Sequence, residues 1–436
     1  MRDLLVASIL FASLPFVLKR PFLGILMLAG LGYLNPHRLC YGFIYSFPVV
    51  QLMVVFTLVG MLMSKEAKRM IWSREIALLA IFVAWMGITT TQAFYGALAF
   101  DQYIKVIKIQ ILTVMTLLML TTPQRVHFFI WVVVMSLSFY GVKGGIFTIL
   151  NGGAYRVQGP TGTFIDGNNE LALALVMTIP LIRYLQLTET RKKVKTFLVV
   201  VMVLTIIAAF GSQSRGALVA LIVTGAIFWM KSRNKIPTAI YIGVAAGIAL
   251  SIMPPEWFAR MSTIQTHEQD LSAIGRTNAW WTAFNIANSR IVGGGFETWG
   301  WAVFQMYAPD PDNVRDVHSV YFEILGEHGW IGLAMFLTLL GMTWRTGSAV
   351  IRFGKQNPDA LWARDLASMI QVSMVGYLSA GAFLGLAYFD YIYHLIAVMA
   401  VLHALVVAPG RVLAPKGSQE LPAPGSWSFT MAFRRL

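Results

Sequence analysis

Long apolar runs recur through the chain, at about 3–18, 21–34, 42–63, 75–95, 103–121, 126–150, 169–187, 196–213, 215–230, 236–253, 319–344, 366–388 and 391–409. Most approach the roughly 20 residues that cross about 30 Å of hydrocarbon as a helix. They are continuous, not alternating, so they predict helices and not the strands of a barrel, the other structure that satisfies its own backbone in lipid. The pattern therefore predicts an all-α, polytopic integral membrane protein with twelve or thirteen spans. The first two runs are short and make either one crossing plus an interfacial piece or two crossings. The first follows one Arg without a small-x-small cleavage site and reads as a retained span.

The connectors divide by charge. "SKEAKRMIWSR" (64–74), "TETRKKVK" (188–195), "KSRNK" (231–235), 345–365 and the C-terminal tail are rich in Lys and Arg. Placing all five in the cytoplasm gives a consistent alternation, because basic connectors are retained on that side. The connectors 35–41, 96–102, 151–168, 211–216 and 254–318 then face outward. This divides the chain into N-terminal spans (1–253), an outer loop with short helices (254–318), C-terminal spans (319–409) and a Pro-rich cytoplasmic tail (410–436). Composition agrees: only 12% of the 436 residues are charged and 57% are hydrophobic, against about 25% charged in soluble domains. The net charge of +14 belongs to those inner connectors, which removes the case for a nucleic-acid partner. Cys40 is the single cysteine, so neither an intrachain disulfide nor a cysteine-based zinc site can form.

Against this bias, cations on the outer side need a reason of their own. Arg215, in "GSQSRGALVA", sits between two apolar runs with no room for a loop. It either snorkels to headgroups or faces a cavity and binds an anion. Arg276 opens a helix that carries Trp280 and Trp281, and Arg290 precedes the glycines of "SRIVGGGFETWGW". Arg290 and Arg315 are ligands or surface charge on equal terms. His318 stands where the loop re-enters the membrane, a position suited to a general base, while His328 reads as a packing residue. Lys105, Lys108 and Arg156 widen a cationic funnel or pair with Asp101, Asp166 and Glu170. Tyr388, Asp390, Tyr391 and His394 read as a headgroup-level aromatic belt. Asp310 and Asp312 form an Asp-x-Asp that reads first as a turn, and no metal is assigned. The sequence has no phosphate loop, HExxH pair or dinucleotide fingerprint, so ATP-driven, zinc-protease and dinucleotide chemistries lack support. Several guanidinium groups with one base, at the outer side of a membrane, fit an anionic lipid phosphate as substrate.

At these residues the sequence resembles the O-antigen ligase and Wzy-type polymerase superfamily. The resemblance rests on "SQSRGAL", on Gly275, Arg276 and Trp280, on "VGGGF" and on "HSVYFEILGEHGWIGL", in that order. "RPFLGILMLAGLGYLNPHRL" and "GTFIDGNNELALALVMTIPLIRY" further resemble a subgroup described as O-glycosylation ligases. The resemblance implies a GT-C-type, inverting glycosyltransferase without metal or other cofactor, in the bacterial inner membrane. Its donor would be an undecaprenyl-diphosphate-linked glycan and its acceptor the lipid A-core oligosaccharide at the periplasmic face. On matching motifs His318 would be the base and Arg215 and Arg276 the diphosphate ligands, with Tyr321 and Glu323 lining the site. A protein O-oligosaccharyltransferase, a polymerase, and a flippase for an anionic lipid are the alternatives.

Overall fold

The computed structural model describes residues 2–232, 234–262 and 271–408; the tail expected at 410–436 lies outside the described residues, as do 263–270 of the outer loop. The described residues are helical, with no strand among them. In chain order the α-helices are α1 (Arg2–Lys19), α2 (Pro21–Tyr33), α3 (Phe43–Ser46), α4 (Val49–Met63), α5 (Arg74–Thr91), α6 (Gly96–Met119), α7 (Pro123–Leu150), α8 (Asn168–Thr188) and α9 (Lys192–Gly211). They continue as α10 (Arg215–Lys231), α11 (Lys235–Ile252), α12 (Pro255–Ser262), α13 (Leu271–Ser289), α14 (Trp301–Tyr307), α15 (Val320–Gln356), α16 (Leu361–Ala380) and α17 (Asp390–Val406). Eight of these segments are long and apolar enough to cross a membrane, and α2, α4 and α17 are shorter apolar helices.

The long helices alternate in direction, so their connectors gather at two ends of the bundle. At one end Phe94 donates its amide to Gly294 (2.9 Å), which ties the α5–α6 turn to the connector after α13, and Val157 to Gly211 (3.0 Å), which ties the 151–167 connector to the end of α9. At the other, Arg125 pairs with Glu66 and Arg69 donates its amide to Leu118 (3.0 Å). The first two helices form a hairpin. The Asp3 carboxylate accepts from the Gly42 amide at the first end (3.0 Å), and Glu66 accepts from the Phe22 amide at the second (3.1 Å). The two short runs at the start of the sequence thus traverse the bundle out and back.

Two contacts explain the packing. Gly141 and Gly145 of α7 form a small-xxx-small face against α9, where a Cβ on Gly145 would collide with the Leu204 carbonyl, the close approach that small residues permit between membrane helices. The second is the burial of α17, in which every residue from Tyr391 to Leu402 is buried.

This burial corrects the aromatic-belt reading. Tyr388, Tyr391 and His394 are 0–3% exposed, and the Tyr33 hydroxyl lies 2.5 Å from His394 Nδ1. Tyr391 packs on Tyr33, with ring centres 5.4 Å apart. An aromatic run near a span terminus has the same composition in a lipid-facing and in a central helix, and here neighbours on every side claim it.

Helix α15 is divided by Gly329, whose φ of 69° and ψ of −173° break the helical path. The carbonyls of Gly326 and Glu327, which the break deprives of helical partners, accept instead from the amides of Gly294 and Gly295 (both 2.8 Å). This is why the glycines of "VGGGF" are needed. Gly293 and Gly295 have φ of 68° and 78°, the left-handed region that glycine enters without penalty. A Cβ on Gly293 would meet the Gly329 nitrogen at 2.6 Å.

Candidate functional site

The connectors at the first end of the bundle form a cavity whose wall includes Arg215, Arg260 and Arg276. The three guanidinium groups come from three helices, each fixed for a local reason. Arg215 begins α10, where the Ser214 hydroxyl caps the helix by accepting from the Ala217 amide (3.2 Å). Ser214 to Ala217 all line the cavity, so the positive dipole end of the helix adds to the arginine charge. Only 212–214 separate α9 from α10, and the turn is closed by Gln213 at φ 55°.

Arg260 lies on α12, which that same turn anchors. Trp257 donates its indole N–H to the Phe210 carbonyl (3.1 Å) and stacks on Phe210, and Arg260 Nε donates to the Gln213 carbonyl (3.0 Å). Arg276 is on α13, beside Gly275, where a Cβ would come within 2.8 Å of the Arg315 stem. The remaining wall is Asn169 at the start of α8, with Ala380 at the end of α16 and Phe383 and Leu384 after it.

His318 is outside the residues that form this wall, but it adjoins it. The neighbour of Leu384, Gly385, is close to both His318 and Glu323: a Cβ built there would lie 3.8 Å from His318 Cα and 3.3 Å from Glu323 Oε2. Helix α13 sets the position of the histidine. The Trp280 indole donates to the Val317 carbonyl (2.9 Å), and its ring stacks on Phe322 at 5.0 Å and 8°. Asn278 bridges Asp310 and Asn313, accepting from the Asp310 amide (2.9 Å) and donating to both carbonyls. Helix α13 thereby carries Arg276, on the cavity, and the clamps that hold the segment leading to His318. The histidine has φ 41°, and its Nδ1 is 3.5 Å from Asp316 Oδ2. That carboxylate also accepts from the Val317 amide through Oδ1 (2.8 Å).

The other residues singled out from sequence take different positions. Arg290 donates to the Gln92 carbonyl and lies over the Phe94 ring at 4.1 Å, so it secures the α5–α6 turn. Tyr321 donates to the Leu378 carbonyl (2.8 Å), holding α15 to α16, and Glu323 accepts from the Ala387 amide (3.1 Å), holding α15 to the connector after α16. Arg315 is exposed beside Gly275, Arg156 is exposed in the 151–167 loop, and Lys105 and Lys108 are exposed on α6. None of these is on the cavity wall. His328 is fully buried against Thr89 (2.7 Å) and Tyr388 (2.8 Å), in keeping with a packing role. The Asp310 backbone is held by Asn278, and no group of three or more potential metal ligands occurs among the described residues.

Residues 200–337 match the family model described as O-antigen ligase, a segment that holds all three cavity arginines and His318. This match supports membership of the O-antigen ligase superfamily. Residues 1–190 match a family of unknown function (DUF5935). No curated protein matches the chain. The superfamily consists of ligase- and polymerase-type glycosyltransferases that use lipid-linked glycans, so this member is a multi-pass membrane protein of that broad enzymatic type. Within the matched segment, sequence reasoning missed Arg260. The signal was present, since Arg260 is another cation in a connector assigned to the outer side.

Proposed function

We propose that the protein is an O-antigen ligase that transfers a glycan from undecaprenyl diphosphate to lipid A-core oligosaccharide at the periplasmic face of the inner membrane. The observation that carries this reading is the convergence of Arg215, Arg260 and Arg276 on one cavity, at the end of the bundle away from the basic connectors. Guanidinium forks match phosphate oxygens bidentately, and the N-terminus of α10 adds its own positive end.

In the proposed reaction His318 accepts the proton of the acceptor hydroxyl. The hydroxyl oxygen attacks the anomeric carbon from the side opposite the diphosphate. The carbon–oxygen bond to the diphosphate breaks, its electrons leave with the diphosphate, and configuration inverts. The arginines stabilise the charge that develops on the departing group, as preorganised positive groups do for other developing anions. Metal independence follows from this division of labour and is part of the proposal.

Purified protein supplied with the lipid-linked glycan and lipid A-core acceptor, in the presence of a chelator, is expected to form ligated product, and His318→Ala is expected to abolish it. Product in the His318 variant at the wild-type rate would remove the proposed base. Transfer only to a peptide or to a second lipid-linked glycan would instead assign protein glycosylation or polymerisation. Lipid translocation without glycan transfer would assign a flippase.

A further inference from the structure

A second cavity opens at the opposite end of the bundle, between the α1–α2 turn, the connector after α4 and the start of α7. Four cations line it, Lys19, Arg20, Lys65 and Arg125, against one acid, Glu66. The acid is already engaged. Glu66 accepts from the Phe22 amide (3.1 Å) and pairs with Arg125, whose guanidinium also donates to the Met119 carbonyl (2.9 Å) and lies 4.8 Å over the Phe22 ring. Glu66 and Arg125 therefore form a neutral, internally bonded floor. Lys19, Arg20 and Lys65 remain as an excess of three positive charges, 4 minus 1, and among the described residues no ion pair joins them to a carboxylate.

The surface leading out of this cavity is apolar. Phe16, one turn before Lys19 on α1, is 63% exposed, and Leu62 and Met63, at the end of α4 just before Lys65, are 85% and 76% exposed. The basic rim adjoins the ends of the two helices that carry the apolar strip, in the order that a phosphate headgroup and its acyl chains would meet them. Soluble anions have no use for the second feature, whereas basic pockets between membrane helices do hold anionic headgroups.

We propose that this cavity is a binding site for an anionic phospholipid, its phosphate held by Lys19, Arg20 and Lys65 and its chains lying along Phe16, Leu62 and Met63. The bound lipid would fasten the α1–α2 hairpin to the α4 and α7 termini. This site is separate from the arginine cavity and independent of the reaction assigned to it.

The test uses the full chain, purified from membranes. Native mass spectrometry is expected to show retained phosphatidylglycerol or cardiolipin. Added phosphatidylglycerol is expected to raise the melting temperature, while phosphatidylcholine does not. The double variant Arg20→Ala with Lys65→Ala, both exposed side chains, is expected to melt like wild type in phosphatidylcholine and to bind phosphatidylglycerol more weakly by roughly fivefold for each cation removed. If that variant does not fold, Lys19→Gln provides the same comparison. Equal lipid retention in wild type and variant overturns the site. So does an equal loss in Lys192→Ala with Lys193→Ala, which would mean that bulk charge at this end is responsible. A melting shift with soluble glycerol phosphate that matches the shift with phosphatidylglycerol overturns the lipid assignment in favour of a free phosphate compound.

Discussion

At the scale of single residues, the arginine cavity makes distinct demands on its three cations. Replacing any of Arg215, Arg260 or Arg276 by Ala is expected to lower turnover by about 10²- to 10³-fold, the effect of removing one preorganised group from a developing anion. Lys at these positions is expected to restore only part of the rate, since an ammonium keeps the charge but loses the bidentate fork. Rate measurements on the single variants check both statements. His318 separates chemistry from backbone strain. At φ 41° it lies in a region that Asn tolerates better than most residues, so His318→Asn should melt within a few degrees of wild type and yet transfer no glycan. The sequence made Arg215, Arg276 and His318 legible because each sits where charge is disfavoured or where a loop meets a span. Tyr321 and Arg290 carry the same composition signal, but that signal is absorbed by contacts with the Leu378 carbonyl and the Phe94 ring, and such partners are distant in sequence.

Helices and turns explain what composition could not. Runs of apolar residues located the long helices, because burial in lipid demands continuous hydrophobicity, but not all of their ends: α6 begins at Gly96, ahead of the run at 103, and α15 continues to Gln356, past the run that stops at 344. They could not reveal the interruption at Gly329, since glycine is common inside membrane helices. Gly295→Ala is expected to cost about 1–3 kcal/mol of stability, because its φ is 78° and a Cβ would strike Ala93; a lower melting temperature in detergent is the measurement. Trp280→Phe should behave differently. It keeps a ring to stack on Phe322 but leaves the Val317 carbonyl without its 2.9 Å donor, so turnover is expected to fall further than stability, as the segment before His318 loosens. The belt-like aromatics of α17 were misread for the related reason that hydrophobicity reports burial without saying whether lipid or protein provides it.

Across the whole molecule, the alternation of basic and other connectors foretold which of them share an end. With Cys40 replaced by Ala, a single cysteine at the exposed Tyr155 is expected to react with an impermeant maleimide added outside the inner membrane, and one at the exposed Lys193 only after permeabilisation. Stability should also depend on pH through the connector after α2. Burial, and then the adjacent Arg38 charge, lower the His37 imidazole from 6.5 to about 4. An unfolded histidine gains its proton below about 6.5 while the folded one resists until about 4, so stability should decline as pH falls through that window and level off beneath it. His37→Phe should flatten this part of a melting-temperature profile. The break at Gly329 bears on how the enzyme meets membranes of different thickness. A long helix answers a thicker or thinner bilayer by tilting, and the break at Gly329 is expected to let the 330–356 portion lean without swinging the short 320–328 piece that follows the imidazole. Reconstitution in lipids of graded chain length should therefore leave turnover nearly level, as expected of a catalytic platform hinged on the rod that carries it.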